Sequence, residues 1–534
     1  MNIKNKYSSA VSLISIAINL FLFSCSTGTQ EDDRIPPGNI KDLRVVSVDY
    51  FGAELEFTAP GDDIFSGKAF KFDVRYSDDT NFLNSPEKYF EQLGIPALEV
   101  PDPPYAGQKV KIFIKNLDPK TKYYVGIRTY DESENFSDVS NIVEFTTRDI
   151  PGSSGEVIGK ISSSFLNLSS DGKKIYLMFP GLYSLEEIGG SFKINPISTN
   201  VPPIHGARVI WDGEKFISIG GNISGNLVQS PIAVYPNGNL VIMENSGDIV
   251  PFGPNGFFGY GVMSHKIVKL GNWFAIIGGV KFFEPRVDIA IEEGKISKIG
   301  LEKIALFRVE GNKVIWSLIY PQATTYPFSS LDPAIINIDG KNIVVWGGNL
   351  SENSLVPSSK MTKLEFPLDS TNLDILSLKP TWKDYTPFSG SFPKLYNTCE
   401  SQTNIKIFKI KFLNEVPEGA KNFEEIGSPT KGETFIYQGR PAIVSDEIFL
   451  TRTFVIGVIR ESAEEFSRIF AIFSDGKREI FSKVVPVIGK QEFKFPDIGG
   501  QCYAEYVGDK LFILHLNDIY IIKFKNYEII TTEQ

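Results

Sequence analysis

The sequence predicts an all-β protein, and three observations carry that reading. Aromatic residues make up 13% of the chain, with 41 Phe and 21 Tyr against 5 Trp and 5 Met, and 46 Gly and 32 Pro are spread throughout. Such usage suits half-buried pleated surfaces broken by turns. Short runs of alternating apolar and polar residues recur from Leu43 onward, which is the period of a strand with one buried face. Further along, a strand–turn–strand pattern returns several times, each copy running into a pair of glycines. With 534 residues, 42% of them hydrophobic, the chain has material for more than one core.

The N-terminus reads as an address. Lys4 and Lys6 precede an apolar run from Ala10 to Phe23. As a helix that run is roughly 21 Å long, short of the ~30 Å hydrocarbon core of a bilayer, so it fits a signal peptide over residues 1–24. It ends Leu22-Phe23-Ser24-Cys25, which resembles the lipobox of bacterial lipoproteins: an aliphatic residue three before the cysteine and a small one just before it. Phe23 is bulkier than the family's usual residue. The resemblance implies lipidation of Cys25, anchoring of the exported chain in a membrane, and a place at the outer membrane or cell surface. Residues 25–34 are short, polar and acidic, as a tether should be.

Removing Lys4 and Lys6 takes the formal charge from −10 to −12. An acidic chain lacks the basic footprint that nucleic acid requires. After Cys25 only Cys399 and Cys502 remain. An exported pair is either a disulfide or two unrelated thiols; the expectation adopted is two free thiols. No Cys/His spacing implies a metal, and no cofactor is expected.

Residues 35–148 read as a β-sandwich. Leu55 and Phe57 alternate with Glu54, Glu56 and Thr58; Phe70, Phe72, Val74 and Tyr76 alternate with Lys71, Asp73 and Arg75. Val110, Ile112 and Ile114, the run Tyr123–Tyr130, and Ile142–Thr146 supply further strands. Leu117-Asp118-Pro119-Lys120-Thr121-Lys122-Tyr123 resembles the L-x-P-x-T-x-Y segment of fibronectin type III domains, where the tyrosine makes the corner hydrogen bond. Pro36-Pro37 and Phe145-Thr146-Thr147 fit the ends of that family, and Phe57 stands where the family usually has Trp. Asp62 and Asp63, and the loop carrying Asp131, Glu132, Glu134 and Asp138, lack a calcium-binding spacing and are read as solvated turn residues.

Residues 156–530 carry the repeat. Gly213 precedes Gly220-Gly221, Gly271 precedes Gly278-Gly279, and Gly340 precedes Gly347-Gly348 at the same offset. Degenerate copies begin at Gly172 and Gly508, and a strand precedes each turn. The unit resembles the kelch repeat, whose four-stranded blades form a β-propeller; Trp316 and Trp382 match its outer-strand tryptophan, with Tyr235 and Tyr520 as candidates for its tyrosine. Leu395–Phe412 and Pro441–Leu450 supply two more units, giving seven blades, with six or eight as alternatives. The fold expected is therefore a fibronectin type III sandwich followed by a kelch-type propeller.

Chemistry is hard to find. His205, His265 and His515 are read as packed or surface imidazoles. Copper oxidases of the galactose oxidase type combine kelch blades with a sandwich, but their His, Tyr and Cys constellation has no match here. Ser170-Asp171-Gly172 and Ser474-Asp475-Gly476 resemble the start of a sialidase Asp box without its Trp, and an Asp-Gly turn explains both. The stretch Arg460–Phe466, with Glu464 and Glu465, is expected to be a helical turn in a loop. The expectation is a non-catalytic binding or scaffold module that meets an unknown protein or glycan. The alternative is a propeller enzyme acting on glycans or an oxidative kelch-type enzyme. Tyr320, Tyr326, Phe328, Tyr385, Phe388 and Tyr396, in the longest intervals between repeats, are the expected binding residues. Ionisable groups converging in a central funnel would favour the enzyme; Ser, Asn and aromatics there would favour binding.

Overall fold

The computed structural model describes residues 33–48, 52–115, 117, 121–148, 154–324, 327, 329–338, 342–350, 358–367, 375–385, 394–461, 464–474, 479–488, 491–492, 502–515 and 517–531. The signal segment and Cys25 lie outside them. The fold is all-β, made of many small antiparallel sheets.

The described residues of 33–148 build two facing sheets. β1 (Arg44–Val48), β2 (Ala53–Thr58) and β5 (Lys109–Ile114) form one, in the order β1-β2-β5. β3 (Lys71–Ser77), β4 (Ile95–Pro96), β6 (Lys122–Tyr130) and β7 (Val143–Thr146) form the other, in the order β4-β3-β6-β7. Alternation decides the inner face: Leu55 and Phe57 of β2, Val110 and Ile112 of β5, and Phe72, Val74 and Tyr123 from the opposite sheet share one core. Tyr123 lies there between the rings of Tyr76 and Phe145. Two short helices, α1 (Thr80–Asn84) and α2 (Pro86–Leu93), interrupt the strands. The Asp79 carboxylate accepts from the Asn81 backbone N–H and Pro86 starts α2, so both begin with ordinary helix signals. Their Phe82 and Phe90 pack with Tyr124 and Val139 in a second small core.

From residue 154 onward the described chain forms six sheet units of four strands, the third carrying a fifth, Glu244–Gly247, parallel to Lys313–Ile319. Five start with the strands Asn167–Ser170, Arg208–Trp211, Lys266–Leu270, Ala334–Asn337 and Tyr396–Phe412, and each adds its next strands antiparallel in turn. The sixth starts with Cys502–Val507, continues through Lys510–His515 and Asp518–Lys523, and is completed by Ser154–Ser162 from the beginning of this region. Ser154–Ser162 also pairs in parallel with Glu479–Ile488, so the fifth and sixth units are hydrogen-bonded together.

Successive side chains of a strand point to opposite faces, and here both faces are covered. Phe216 packs with Tyr176 and Met178 of the first unit, while its neighbour Ile217 packs with Phe274, Phe307 and Trp316 of the third. Leu270 and Ala275 of the third unit meet Ile335 and Val345 of the fourth. Trp346 of the fourth meets Val455 and Phe470 of the fifth. Phe454 and Ile456 of the fifth meet Leu511 and Ile513 of the sixth. Tyr503 and Phe512 of the sixth then meet Leu168 and Leu177 of the first, so the succession returns to its start.

The glycine pairs mark where one unit crosses the next. A Cβ on Gly220 would lie 2.2 Å from the Val262 carbonyl, and one on Gly279 would lie 2.7 Å from the Met263 carbonyl and from the His265 Cβ. Both glycines have positive φ. Trp316 and Trp382 stand on the fourth strands of their units, fully buried, with the indole N–H groups on Asn245 and on the Leu301 carbonyl.

Three sequence expectations need correction. Leu395–Phe412 and Pro441–Leu450 are not separate units: they pair with one another, Lys411 opposite Ile443, as two long strands of the fifth. The count of units among the described residues is therefore six rather than seven. Beyond the body of that unit the same two strands project with their own small core of Phe408, Ile410, Phe423, Phe435 and Val444. Arg460–Phe466 is not a helical turn, because Arg460 and Glu465 are cross-strand partners in a hairpin. Cys399 and Cys502 are not free thiols; they form a disulfide between the first strands of the fifth and sixth units, with Cα atoms 5.2 Å apart.

Candidate functional site

The six first strands approach one another in sequence and enclose a cavity of about 400 Å³. Each strand contributes to the lining: Ser170, Arg208 with Trp211, Lys266 with Lys269, Asn337, Glu400 with Gln402, and Glu505. A core strand in this fold has apolar residues on both faces, so the polar residues that remain gather on the edge facing the cavity.

Near the starts of these strands, side chains span the cavity and tie the units together. Arg208 pairs with Asp332 and donates to the Cys502 and His265 carbonyls, each at 3.0 Å, with its guanidinium 4.7 Å from the Tyr503 ring centre. Lys266 lies 3.2 Å from both Asp332 and Glu400, and donates to the Thr398 carbonyl. Tyr503 donates its hydroxyl to the Ala207 carbonyl at 3.0 Å. Two cations and two carboxylates thus compensate one another inside the protein, which is the arrangement that buried charge requires. Burial, opposed by Lys266, leaves the Glu400 carboxyl above its ordinary range.

The other end of the strands is less crowded. Gln402 donates to the Asn337 carbonyl at 2.8 Å and Asn337 donates to the Lys269 carbonyl at 3.0 Å, so amides link three neighbouring strands. Ser401, Thr453, Trp211 and Phe274 line the same space. Glu505 stands apart from the paired cluster, with no cation bonded to it among the described residues. Burial, together with the nearby Glu400 charge, pushes its carboxyl up to about 8. Both sequence criteria therefore meet in this cavity: convergent ionisable groups at one end, and hydroxyls, amides and aromatics at the other.

The histidines stay outside the bonded network. His265 is fully buried behind Lys266, and desolvation, with Arg208 and Lys266 adding to it, takes its pKa down to about 3. His515 is buried at the end of its strand and is lowered to about 4 for the same main reason. His205 is exposed.

The aromatic residues expected to bind are spread out. Tyr320 is exposed after the fourth strand of the third unit, with Lys303 over its ring. Tyr385 is half-buried after the fourth strand of the fourth unit, packed on its core, with Lys363 over its ring. Tyr326, Phe328 and Phe388 lie outside the described residues, as does the side chain of Tyr396. The cavity residues were missed in the sequence because no motif joins them. A usable signal was present in Arg208-Val209-Ile210 and Lys266-Ile267-Val268, where a cation opens an otherwise apolar inner strand.

In the sandwich region, Asp62 is not an isolated turn residue. Its carboxylate gathers with Asp33 and Glu132, one oxygen of each within 4.8 Å of the others. Burial, then Glu132, raises Asp62 to about 6. Comparison with protein-family models and with curated proteins finds no match for this chain.

Proposed function

We propose that this chain is an exported, lipid-anchored envelope protein that binds a ligand in a propeller funnel without chemically altering it. Its parts on this reading are a signal peptide over 1–24, a tether over 25–34, a fibronectin type III-like sandwich over 35–148 and a six-bladed kelch-like propeller over 156–530. The three-plus-four strand order around one core supports the sandwich. The propeller reading is supported by cores that lead from each unit to the next and back to the first. An N-terminal strand completing the last sheet also supports it, because that join closes a ring and hides sheet edges. Membrane attachment rests on the Leu22–Cys25 lipobox alone.

The observation that carries ligand binding is the cavity enclosed by the six first strands. Its buried cations, Arg208 and Lys266, are already committed to Asp332 and Glu400, while Ser170, Asn337, Gln402, Trp211 and Phe274 offer the mixture of amide, hydroxyl and ring that suits a polar organic ligand. The test is to probe glycan and peptide arrays with the purified protein and with Trp211→Ala. Binding that weakens in the variant supports the reading; array binding indifferent to Trp211 counts against it.

One observation favours the enzymatic alternative. Glu505, raised to about 8, lies near a second cavity carboxyl, Glu400, and glycoside hydrolysis uses an acid beside a second carboxyl. Release of new reducing ends from an array glycan, abolished by Glu505→Gln, would replace the binding reading with this one.

A further inference from the structure

We propose that the funnel accepts a cationic group, an ammonium or guanidinium on an extended chain, with the Glu505 carboxylate as its counter-ion and Trp211 and Phe274 among its walls. This rests on the funnel being the ligand site. Glu505 faces a cavity of about 400 Å³ and, among the described residues, has no bonded cation. The buried cations nearby are already ion-paired. Arg208 is held by Asp332, and Lys266 by Asp332 and Glu400. Lys269 extends over the Phe274 ring, 6.0 Å from its centre.

The charged and titratable groups around Glu505 are Glu400 on the fifth unit, Lys266 and Lys269 on the third, Arg208 on the second, and Tyr503 on its own strand. Of these, Glu400 bears on its protonation, and it disfavours the ionised form. A bound cation supplies the missing countercharge and reverses that effect. Aromatic walls add attraction for a cation that a neutral ligand does not receive. Among the described residues lining the cavity, Lys269 is the cation outside an ion pair, and a preference for glutarate would report it.

Cation binding must therefore be linked to proton release. At pH 7 Glu505 is largely protonated, and a cation that stabilises its ionised form displaces the proton to solvent. Affinity rises with pH through about 8, the value at which the empty site ionises.

The experiment is calorimetric titration of the purified protein with three chains of matched length: 1,5-diaminopentane, 1,5-pentanediol and glutarate. Each is titrated at pH 7 in two buffers of different ionisation enthalpy, and again at pH 9. The expected result is preferential binding of the diamine by roughly tenfold or more, with proton release at pH 7 that fades at pH 9. Glu505→Gln should lose most of that preference, and its melting curve verifies folding. Proton release in the wild type is a second readout that needs no variant. Equal binding of the diol, preference for glutarate, no diamine binding, or a diamine affinity unchanged in Glu505→Gln each overturns the proposal. If the diol binds wild type and Glu505→Gln alike but not Trp211→Ala, the cation assignment fails while the funnel remains the ligand site. If array binding is also indifferent to Trp211→Ala, the funnel reading fails with it.

Discussion

Glu505→Gln should stabilise the protein at neutral and alkaline pH. The Glu505 carboxyl is raised from 4.5 to about 8, so the folded state holds its proton where the unfolded chain has released it. Stability therefore falls as pH rises from 4.5 towards 8, and the loss is complete above that range. At pH 7 about 2.5 pH units of that span have been crossed, which at ~1.4 kcal/mol per unit sets a ceiling of about 3.5 kcal/mol. Water entering the half-open cavity reduces this to about 1–2 kcal/mol. Glutamine has the same shape and no charge to desolvate, so it removes the slope. Thermal unfolding of both proteins between pH 4 and pH 9 checks this. The two curves should converge near pH 4, with the variant melting a few degrees higher at pH 8. A variant that melts at or below the wild-type temperature at pH 8 would refute the assignment of Glu505 as an uncompensated carboxyl.

Cys399→Ser should lower stability by about 4 kcal/mol in the chain-entropy model, since the bond closes a separation of 103 residues; thiol titration of the unfolded protein without reductant should find neither Cys399 nor Cys502 reactive, and two reactive thiols would contradict the bond. Gly279→Ala should impair folding, because its Cβ meets His265 and Met263 at 2.7 Å, whereas Gly213→Ala, with nothing within 4 Å, should cost only the ~1–2 kcal/mol of a left-handed backbone; soluble yield and melting temperature compare the two. Asp62→Asn should raise stability at pH 7 by about 1 kcal/mol or less after solvent screening, and by less as pH falls below 6, where Asp62 takes up its proton. Radiolabelled fatty acid fed to the producing bacterium should mark the wild type and not Cys25→Ala; equal labelling would remove the anchor.

What the sequence made legible was local. Strand alternation located β2, β3 and β5 because each buries one face against one partner sheet, whereas β6, buried on both faces, was marked by its run of β-forming residues. The glycine pairs were visible because backbone crowding leaves no room for a side chain at Gly220 or Gly279. Long-range pairing was not legible. Nothing in Ser154–Ser162 announces that it completes a sheet whose other strands begin at Cys502, and nothing in Lys411 names Ile443 as its partner. The helices Thr80–Asn84 and Pro86–Leu93 were less legible, because they are short and only their cap signals mark them. The cavity was missed for a physical reason. Arg208, Lys266, Asp332, Glu400 and Glu505 come from five separated segments, and only the convergence of the strands makes them one site.

The choice between a funnel site and an outer aromatic surface can be measured directly. Oxidative footprinting, read by mass spectrometry, is applied to the protein alone and with the glycan or peptide that it binds most strongly on the array. The account predicts protection at Trp211 on the cavity wall and none at exposed Tyr320. Protection at Tyr320 with Trp211 unchanged would contradict it and return the binding site to the loops between repeats.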